Sequence, residues 1–366
     1  MDHLKRLVMV FVLVFFAMRV PKTSAVKNGR VPALFSFGDS ILDTGNNNLL
    51  LTLSKCNYPP YGMDFYGGIP TGRFCDGRNP SDLIAEALGI KATLPAYLSG
   101  TLRTQDLPTG VCFASGGSGI DDVTSAIQGV LSLSAQLRLF EDYIGRLRAL
   151  VGQQRASYII SNALILISAG NNDIAITYYD TLVHLQPFPM YADRLVLGAS
   201  NFVKSLYALG VRRVWVLSTL PLGCLPGGRT IAGGPLRICA PIVNLQAQLF
   251  NGKLASAVYS TRASFPNYDI RFIDVYTPLY NLVQNPLSAG FSDSSEGCCG
   301  TAIFGVSGLC NLLSVCPFPS TYIFWDFAHP TERAYRFIVS SILRRQGINN
   351  VSTSFSFSHV NSSLVH

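Results

Sequence analysis

The chain has 366 residues, 48% of them hydrophobic and only 13% charged, with a formal charge of +7. Its first 25 residues hold four basic side chains and one acidic one, so the remainder carries +4. A surplus that thin, with no dense Lys/Arg patch interleaved with aromatics, argues against nucleic acid as a partner and leaves only weak attraction to an acidic wall polymer or membrane surface.

Lys5 and Arg6 precede an uncharged apolar run at 7–18, and Thr23, Ser24 and Ala25 follow it. Charge, short apolar core and small residues in that order read as a signal peptide over 1–25. The run is shorter than the roughly 20 apolar residues of a membrane span, and no later run is long enough, so no membrane span is expected. The rest reads as one domain over 26–348 with a polar tail at 349–366.

Short apolar runs at 31–37, 111–114, 163–168, 211–217 and 269–273 predict buried strands. "YIISNALILISA", 158–169, is assigned to the third of them. Helical patterns lie near 80–88, 134–148, 191–209, 240–262 and 330–344. The first shows Pro near its start and Gly89 at its end. Strand–helix alternation predicts an α/β sandwich, a mostly parallel sheet with helices on both faces. Loops 45–78, 220–237 and 286–326 are long and rich in Gly, Pro and Cys, and such loops usually carry function or need pinning.

Nine cysteines, at 56, 75, 112, 224, 239, 298, 299, 310 and 316, fit a secreted chain. An odd count leaves at least one unpaired or bonded to another chain; Cys112, in the apolar "GVCFA", is expected to be free. Cys224–Cys239, Cys56–Cys75 and two bridges among the last four are the expected pairs. A zinc site is the rival reading of those four, but paired CxxC knuckles and nearby histidines are missing.

Histidine supply narrows the chemistry. Of five, His3 leaves with the signal, and His359 and His366 lie in the tail. His184 has Asp180 at i−4 and nothing else to mark it. His329, in "FWDFAHPTE", has Asp326 at i−3, the spacing at which a carboxylate reaches the imidazole, fixes its tautomer and stabilises the imidazolium. A lone Asp-x-x-His also reads as a capping aspartate beside an incidental histidine.

The matching nucleophile is Ser40 in "FSFGDSILDTGNNN". It follows an apolar strand and a glycine, where side chains surface at the carboxyl edge of a parallel sheet. Its hydroxyl is weak until a base takes the proton. This is not the GxSxG elbow, and a bare Gly-Asp-Ser also serves as a plain turn. Acyl transfer further needs donors for an oxyanion. "FASGGSG" (113–119) offers unobstructed backbone N–H groups, and "SAGNND" (168–173) ends a strand in amides. The first also reads as a phosphate-cradling loop, although it lacks Rossmann spacing and the closing Lys-Ser/Thr of a P-loop.

With these blocks in hand, the sequence resembles the plant GDSL-type esterase/lipases of the SGNH hydrolase superfamily across roughly 32–345. "FSFGDSILDTGNNN", "GVCFASGGSG", "GNND" and "WDFAHPTE" match its blocks, and "PYGMDFYGGIPTGRFCDGR", "LPLGCLP" and "GCCGT" are also family-like. The wording around "VCFASGGSG" and "WDFAHP" is similar to the extracellular-lipase or anther-specific subgroup. Ile41 stands where the family's leucine usually does, and Cys112 where many members have Asn.

The resemblance implies a three-layer α/β/α, flavodoxin-like fold, here with a five-stranded sheet. It also implies a Ser40–His329–Asp326 triad, with Ser40, Gly117 and Asn172 as oxyanion donors and Gly116 as the rival glycine. No metal or cofactor is implied, and the partner is a small-molecule or lipid ester. Asn350 and Asn361 head N-x-S sequons in the tail, which mildly support secretion to the cell wall or apoplast and are expected glycosylation sites. A secreted carboxylic-ester hydrolase leads; a polysaccharide O-deacetylase, an acyltransferase on the same site, and a catalytically silent coat protein are the competing readings. Oligomeric state is not readable.

Overall fold

The computed structural model describes residues 31–179, 186–300, 310–311 and 313–348. The signal peptide, Asp180 with His184, and the sequons at Asn350 and Asn361 lie outside the described residues.

Four parallel strands, β1 (Leu34–Gly38), β2 (Leu164–Ser168), β3 (Arg213–Leu217) and β4 (Asp269–Ile273), pair in sequence order. Every residue of β1 and β2 is buried, which is why they read as unbroken apolar runs: both faces of the sheet are covered. Alternation along β1 shows what covers them. Phe35 and Phe37 pack edge-on to Phe140 of the helix Leu133–Val151 (α3), and Phe37 also meets Phe202 of Phe188–Ala208 (α6). Ser36, pointing the other way, is hydrogen-bonded by Ser81 of Pro80–Ala87 (α1) at 2.9 Å. The helix Pro241–Ser264 (α8) packs on α6, and Glu332–Arg345 (α10) packs on α1. This is the expected layered α/β/α arrangement. Helix α1 begins where the sequence said it would, with Pro80 in its first turn and Asn79 and Asp82 in a reciprocal cap.

Three expectations are corrected. The sheet has four strands rather than five. Residues 111–114 pair with β1 through an isolated bridge from Cys112 to Ser36 rather than as a strand, a second bridge joins Cys112 to Ala96, and Phe113 packs on Phe35 and Phe37. The amides of Phe113 and Ala114 both converge on the Ser36 carbonyl, at 2.7 and 3.1 Å, and Ser115 N–H reaches the Gly38 carbonyl at 2.9 Å, but the Gly38 N–H that would complete the ladder is taken by Gln136 Oε1 at 2.8 Å. The carbonyls of Cys112 and Ala114 are then taken by the Asn46 side chain, at 2.9 and 2.7 Å. Residues 158–162 end a helix, Gln153–Asn162 (α4), rather than opening β2. Ser161 and Asn162 fold their side chains back onto the Tyr158 carbonyl, at 3.2 and 2.8 Å, and close that last turn.

The third correction concerns cysteines. Cys224–Cys239 bridges as expected, and the last four pair as Cys298–Cys316 and Cys299–Cys310. Cys56 and Cys75 are not bonded to each other; both are buried free thiols, as is Cys112. The Cys75 thiol instead donates to the Gly77 carbonyl at 3.0 Å. Backbone bonds from Gly62 to Cys75 and from Gly72 to Cys56 do the pinning that a bridge was expected to do.

A second, two-stranded parallel sheet, β5 (Asp293–Gly297) and β6 (Tyr322–Phe324), lies between β4 and α10 in sequence. The two C-terminal disulfides follow β5 directly.

Candidate active site

β1 ends at Gly38, whose φ is +113°. A Cβ there would lie 1.7 Å from the Ser168 carbonyl oxygen, so only glycine lets the chain turn this tightly against the end of β2. The Gln136 side chain, fully buried on α3, accepts from Gly38 N–H at 2.8 Å and donates to its carbonyl at 2.9 Å. It thus satisfies both backbone groups that the departing strand leaves open. Asp39 N–H bonds Ser168 O at 2.9 Å. The buried Asp39 carboxyl accepts from Ser168 Oγ, Asn171 Nδ2 and Ile41 N–H, at 2.9, 2.8 and 3.1 Å. Burial pushes it up to about 6, against the pull of these bonds and of nearby His329.

On this turn Ser40 faces the loop between β6 and α10. Its Oγ lies 2.8 Å from His329 Nε2. His329 Nδ1 lies 2.9 Å from both Asp326 oxygens. Asp326 Oδ1 also accepts from the backbone N–H groups of Ala328 and His329, each at 2.8 Å, and Oδ2 accepts from Tyr61 OH at 2.7 Å. Burial pushes the Asp326 carboxyl up, but the His329 charge and these donors outweigh it and hold it below the usual carboxylate range. Phe74 packs on the imidazole at 5.2 Å between ring centres.

The loop carrying Asp326 and His329 is closed at both ends. Trp325 N–H bonds His329 O at 2.7 Å, and Thr331 caps α10 while its N–H bonds Ile323 O at 2.9 Å. Cys298 and Cys299, each in a disulfide, donate backbone N–H groups to Phe324 O and Trp325 O at 3.0 and 2.6 Å.

The donors separate cleanly. Gly116 N–H is spent on Asp43 Oδ2 at 2.9 Å. The N–H groups of Ser40 and Gly117 have no hydrogen-bond acceptor among the described residues. Gly117 has φ +87°, and its Cβ position is crowded by Gln128 and Ser54 at 3.1 to 3.3 Å. Asn172 donates one amide hydrogen to Ser118 O at 2.8 Å, which fixes its side chain and leaves the second hydrogen unspent. The neighbouring Asn171 is fully committed: Nδ2 to Asp39, and Oδ1 from Leu220 N–H at 3.0 Å.

The amides of "TGNNN" are braces. Asn46 holds the Cys112 and Ala114 carbonyls and accepts from Leu98 N–H at 3.0 Å. Asn47 Nδ2 reaches Gly116 O and Ser54 O at 2.8 and 2.7 Å. Asp43, pushed up to about 6 by burial, accepts from Gly45, Asn46 and Gly116. Together they bolt the glycine loop to the serine turn. Gln136, Asn46, Asn47 and Tyr61 carry this architecture, and sequence reasoning gave none of them a role. For Tyr61 the only signal was its place in the "PPYGMDF" stretch, 265 residues from Asp326.

Among the described residues no group of three His, Cys, Asp or Glu side chains is arranged to hold a metal ion, and no helix is long and apolar enough to cross a membrane. A hydroxyl bonded to an imidazole whose far nitrogen meets a carboxylate is equipped to exchange a proton. Two unspent backbone N–H groups and one amide hydrogen belong to the same loops.

The GDSL-like lipase/acylhydrolase family model matches residues 34–342. The chain is 47% identical over 318 residues to GDSL esterase/lipase EXL3 of Arabidopsis thaliana, covering 86% of this chain and 87% of that protein. It is 50% identical over 314 residues to GDSL esterase/lipase At1g23500 of the same plant, covering 86% and 88%.

Proposed function

The chain belongs to the GDSL-like lipase/acylhydrolase family and is an ester-bond hydrolase; from that premise we propose that it is a secreted serine carboxylesterase of acyl esters working through Ser40, His329 and Asp326. The observation that carries this reading is the unbroken line of hydrogen bonds from Ser40 Oγ through both imidazole nitrogens to Asp326.

His329 Nε2 takes the Ser40 proton as Oγ attacks the ester carbonyl. Ser40 N–H, Gly117 N–H and Asn172 Nδ2 receive the oxyanion. Asp326 holds the ring in the tautomer with its proton on Nδ1 and stabilises the imidazolium. The imidazolium then protonates the leaving alcohol, and water, deprotonated by His329, releases the acid and restores Ser40. Secretion rests on the leader-like 1–25 and on the three disulfides, which persist in oxidising compartments.

The test is hydrolysis of p-nitrophenyl acyl esters by the purified chain and by Ser40→Ala. A loss of about 10³-fold or more in kcat is expected, together with loss of covalent labelling by an organophosphate at residue 40. Equal rates in the two proteins would remove Ser40 from the mechanism.

A further inference from the structure

Residues 46–54 leave the serine turn in an unusual state. Thr52 and Ser54 turn inward: Thr52 Oγ1 bonds Gln128 O at 2.6 Å, and Ser54 Oγ bonds Gln128 Oε1 at 2.9 Å. The alternate side chains, Leu49, Leu51 and Leu53, turn outward, and the last two are 101% and 102% exposed. Fixed, solvent-facing leucines are unfavourable in water, and clustered exposed apolar side chains mark interaction sites. This row is held firmly beside the chemistry. The Asn47 amide donates to both the Ser54 and the Gly116 carbonyls and so ties the row to the glycine loop, and Ser54 and Gln128 sit directly against Gly117.

A second apolar row borders the histidine. The helix Pro226–Ala232 (α7) is bonded to the catalytic loop through Gly227 N–H to Phe327 O at 2.8 Å. From there to α8 the chain exposes Ile231, Leu236 and Ile238, with Leu236 87% exposed. The Arg229 side chain bonds the Cys224 and Arg237 carbonyls, and the Cys224–Cys239 bridge closes the segment, so this row too is braced.

We propose that these two rows form an apolar rim that docks the enzyme on the surface of a neutral acyl-lipid aggregate, presenting Ser40 to esters in that surface. The proposal rests on the ester-hydrolase reading above. Side chains exposed to this degree line no groove, so a single bound acyl chain would leave them wet. A lipid surface can cover such a row along its whole length, and apolar contact area sets the strength of such docking. The rows are continuous with the loops that hold Gly117 and His329, which brings the bound surface to the reacting atoms.

The test compares the purified chain with the variant Leu51→Ser/Leu53→Ser, neither residue being part of the catalytic machinery. Monomeric p-nitrophenyl butyrate should be hydrolysed at the same rate within about twofold. Turnover of emulsified tributyrin, and co-sedimentation with phosphatidylcholine vesicles, should both fall roughly tenfold or more. Unchanged activity on the emulsion would overturn the proposal. So would an equal loss on both substrates, which would make the row structural, or a wild-type dimer that the variant converts to monomer with emulsion activity intact. Ser40→Ala should still bind vesicles. Vesicle binding that tracks the leucines in a protein without esterase activity would keep the docking surface and sink only the hydrolase reading.

Discussion

Ser40 and His329 meet at 2.8 Å from opposite kinds of surroundings. The serine turn is the end of a central strand. Gln136, Asp39, Asp43 and the three amides Asn46, Asn47 and Asn171 fix it, all of them buried and bonded mainly to backbone. The histidine loop follows a strand of three residues, β6, in the small second sheet. Ile323 and Phe324 of that strand still join the main core, but Trp325, where the loop begins, packs in a separate cluster with Cys56, Tyr61, Phe74 and three disulfide cysteines. One half is thus set by the main core, where backbone partners are numerous. The other half has little core of its own and relies on covalent staples and on one tyrosine hydroxyl. The Ser40–His329–Asp326 arrangement is stiff only if both solutions hold, and the two should fail differently.

The largest effect is expected from cutting a staple. Cys298→Ser/Cys316→Ser removes the bridge whose Cys298 N–H bonds the Phe324 carbonyl, two residues before Asp326. A displacement of about 1 Å at a reacting group costs on the order of 10²-fold, so kcat should fall by about that factor. Stability should fall by about 3 kcal/mol, the usual worth of a loop of that length, and KM should change little. Steady-state kinetics with a soluble ester, alongside urea unfolding, separates the two quantities. Full kcat in the stapleless variant would show that the short sheet holds Asp326 unaided, and the contrast between the halves would collapse.

A smaller effect is expected from Tyr61→Phe. The hydroxyl donates to Asp326 Oδ2 at 2.7 Å within a buried site. A hydrogen bond to a charged group is worth about 1.5–3 kcal/mol, so kcat should fall roughly tenfold or more at constant KM. Losing a donor leaves the carboxylate more available to the imidazolium, so the acid limb of the pH–rate profile should move to higher pH. A uniform loss with an unmoved profile would mean that Tyr61 only packs against Trp325.

Much of the sheet half was legible in the sequence because its signals are local. Apolar runs end at Gly38 and Ser168, and the helix at Pro80 announces itself by its proline and by Gly89 at its end. What escaped is decided by partners distant in the chain. The fifth strand was overcounted because Gln136, 98 residues from Gly38, takes the Gly38 N–H that a fifth strand would have used. Gly116 and Gly117 are indistinguishable in "FASGGSG"; Asp43, 73 residues from Gly116, consumes the Gly116 N–H and leaves that of Gly117. The Cys56–Cys75 pairing followed from nearness in sequence, but Cys75 directs its thiol into its own turn. In the histidine half, Asp326 and His329 share a short motif and were legible, while Tyr61 carries no local mark at all.

The smallest effect per residue is in the response to pH, and it also divides the halves. Around the serine turn and its neighbouring loops, burial pushes Asp39, Asp43 and Asp173 each up to about 6. Asp326 in the other half is held below its ordinary 3.8, because the pull of His329 and its donors outweighs burial. A carboxyl raised on folding binds more protons in the native state, so stability falls as pH climbs from about 4 through about 6. Between pH 5 and 7 each such group costs about 1.4 kcal/mol. A carboxyl lowered on folding acts oppositely: its contribution is present above about 3.8 and is lost as pH falls through its folded value. The raised carboxyls outnumber Asp326, and Asp76, which accepts from Glu332 N–H at the start of α10, joins them at about 8, so together they pull the optimum toward acid. Urea midpoints followed by tryptophan fluorescence should be highest at or below about pH 4 and decline from there toward pH 7. A midpoint that rises steadily from pH 5 to 7 would mean that the buried aspartates of the serine side are ionised at little cost, and their hydrogen bonds would then outweigh burial there as they do at Asp326.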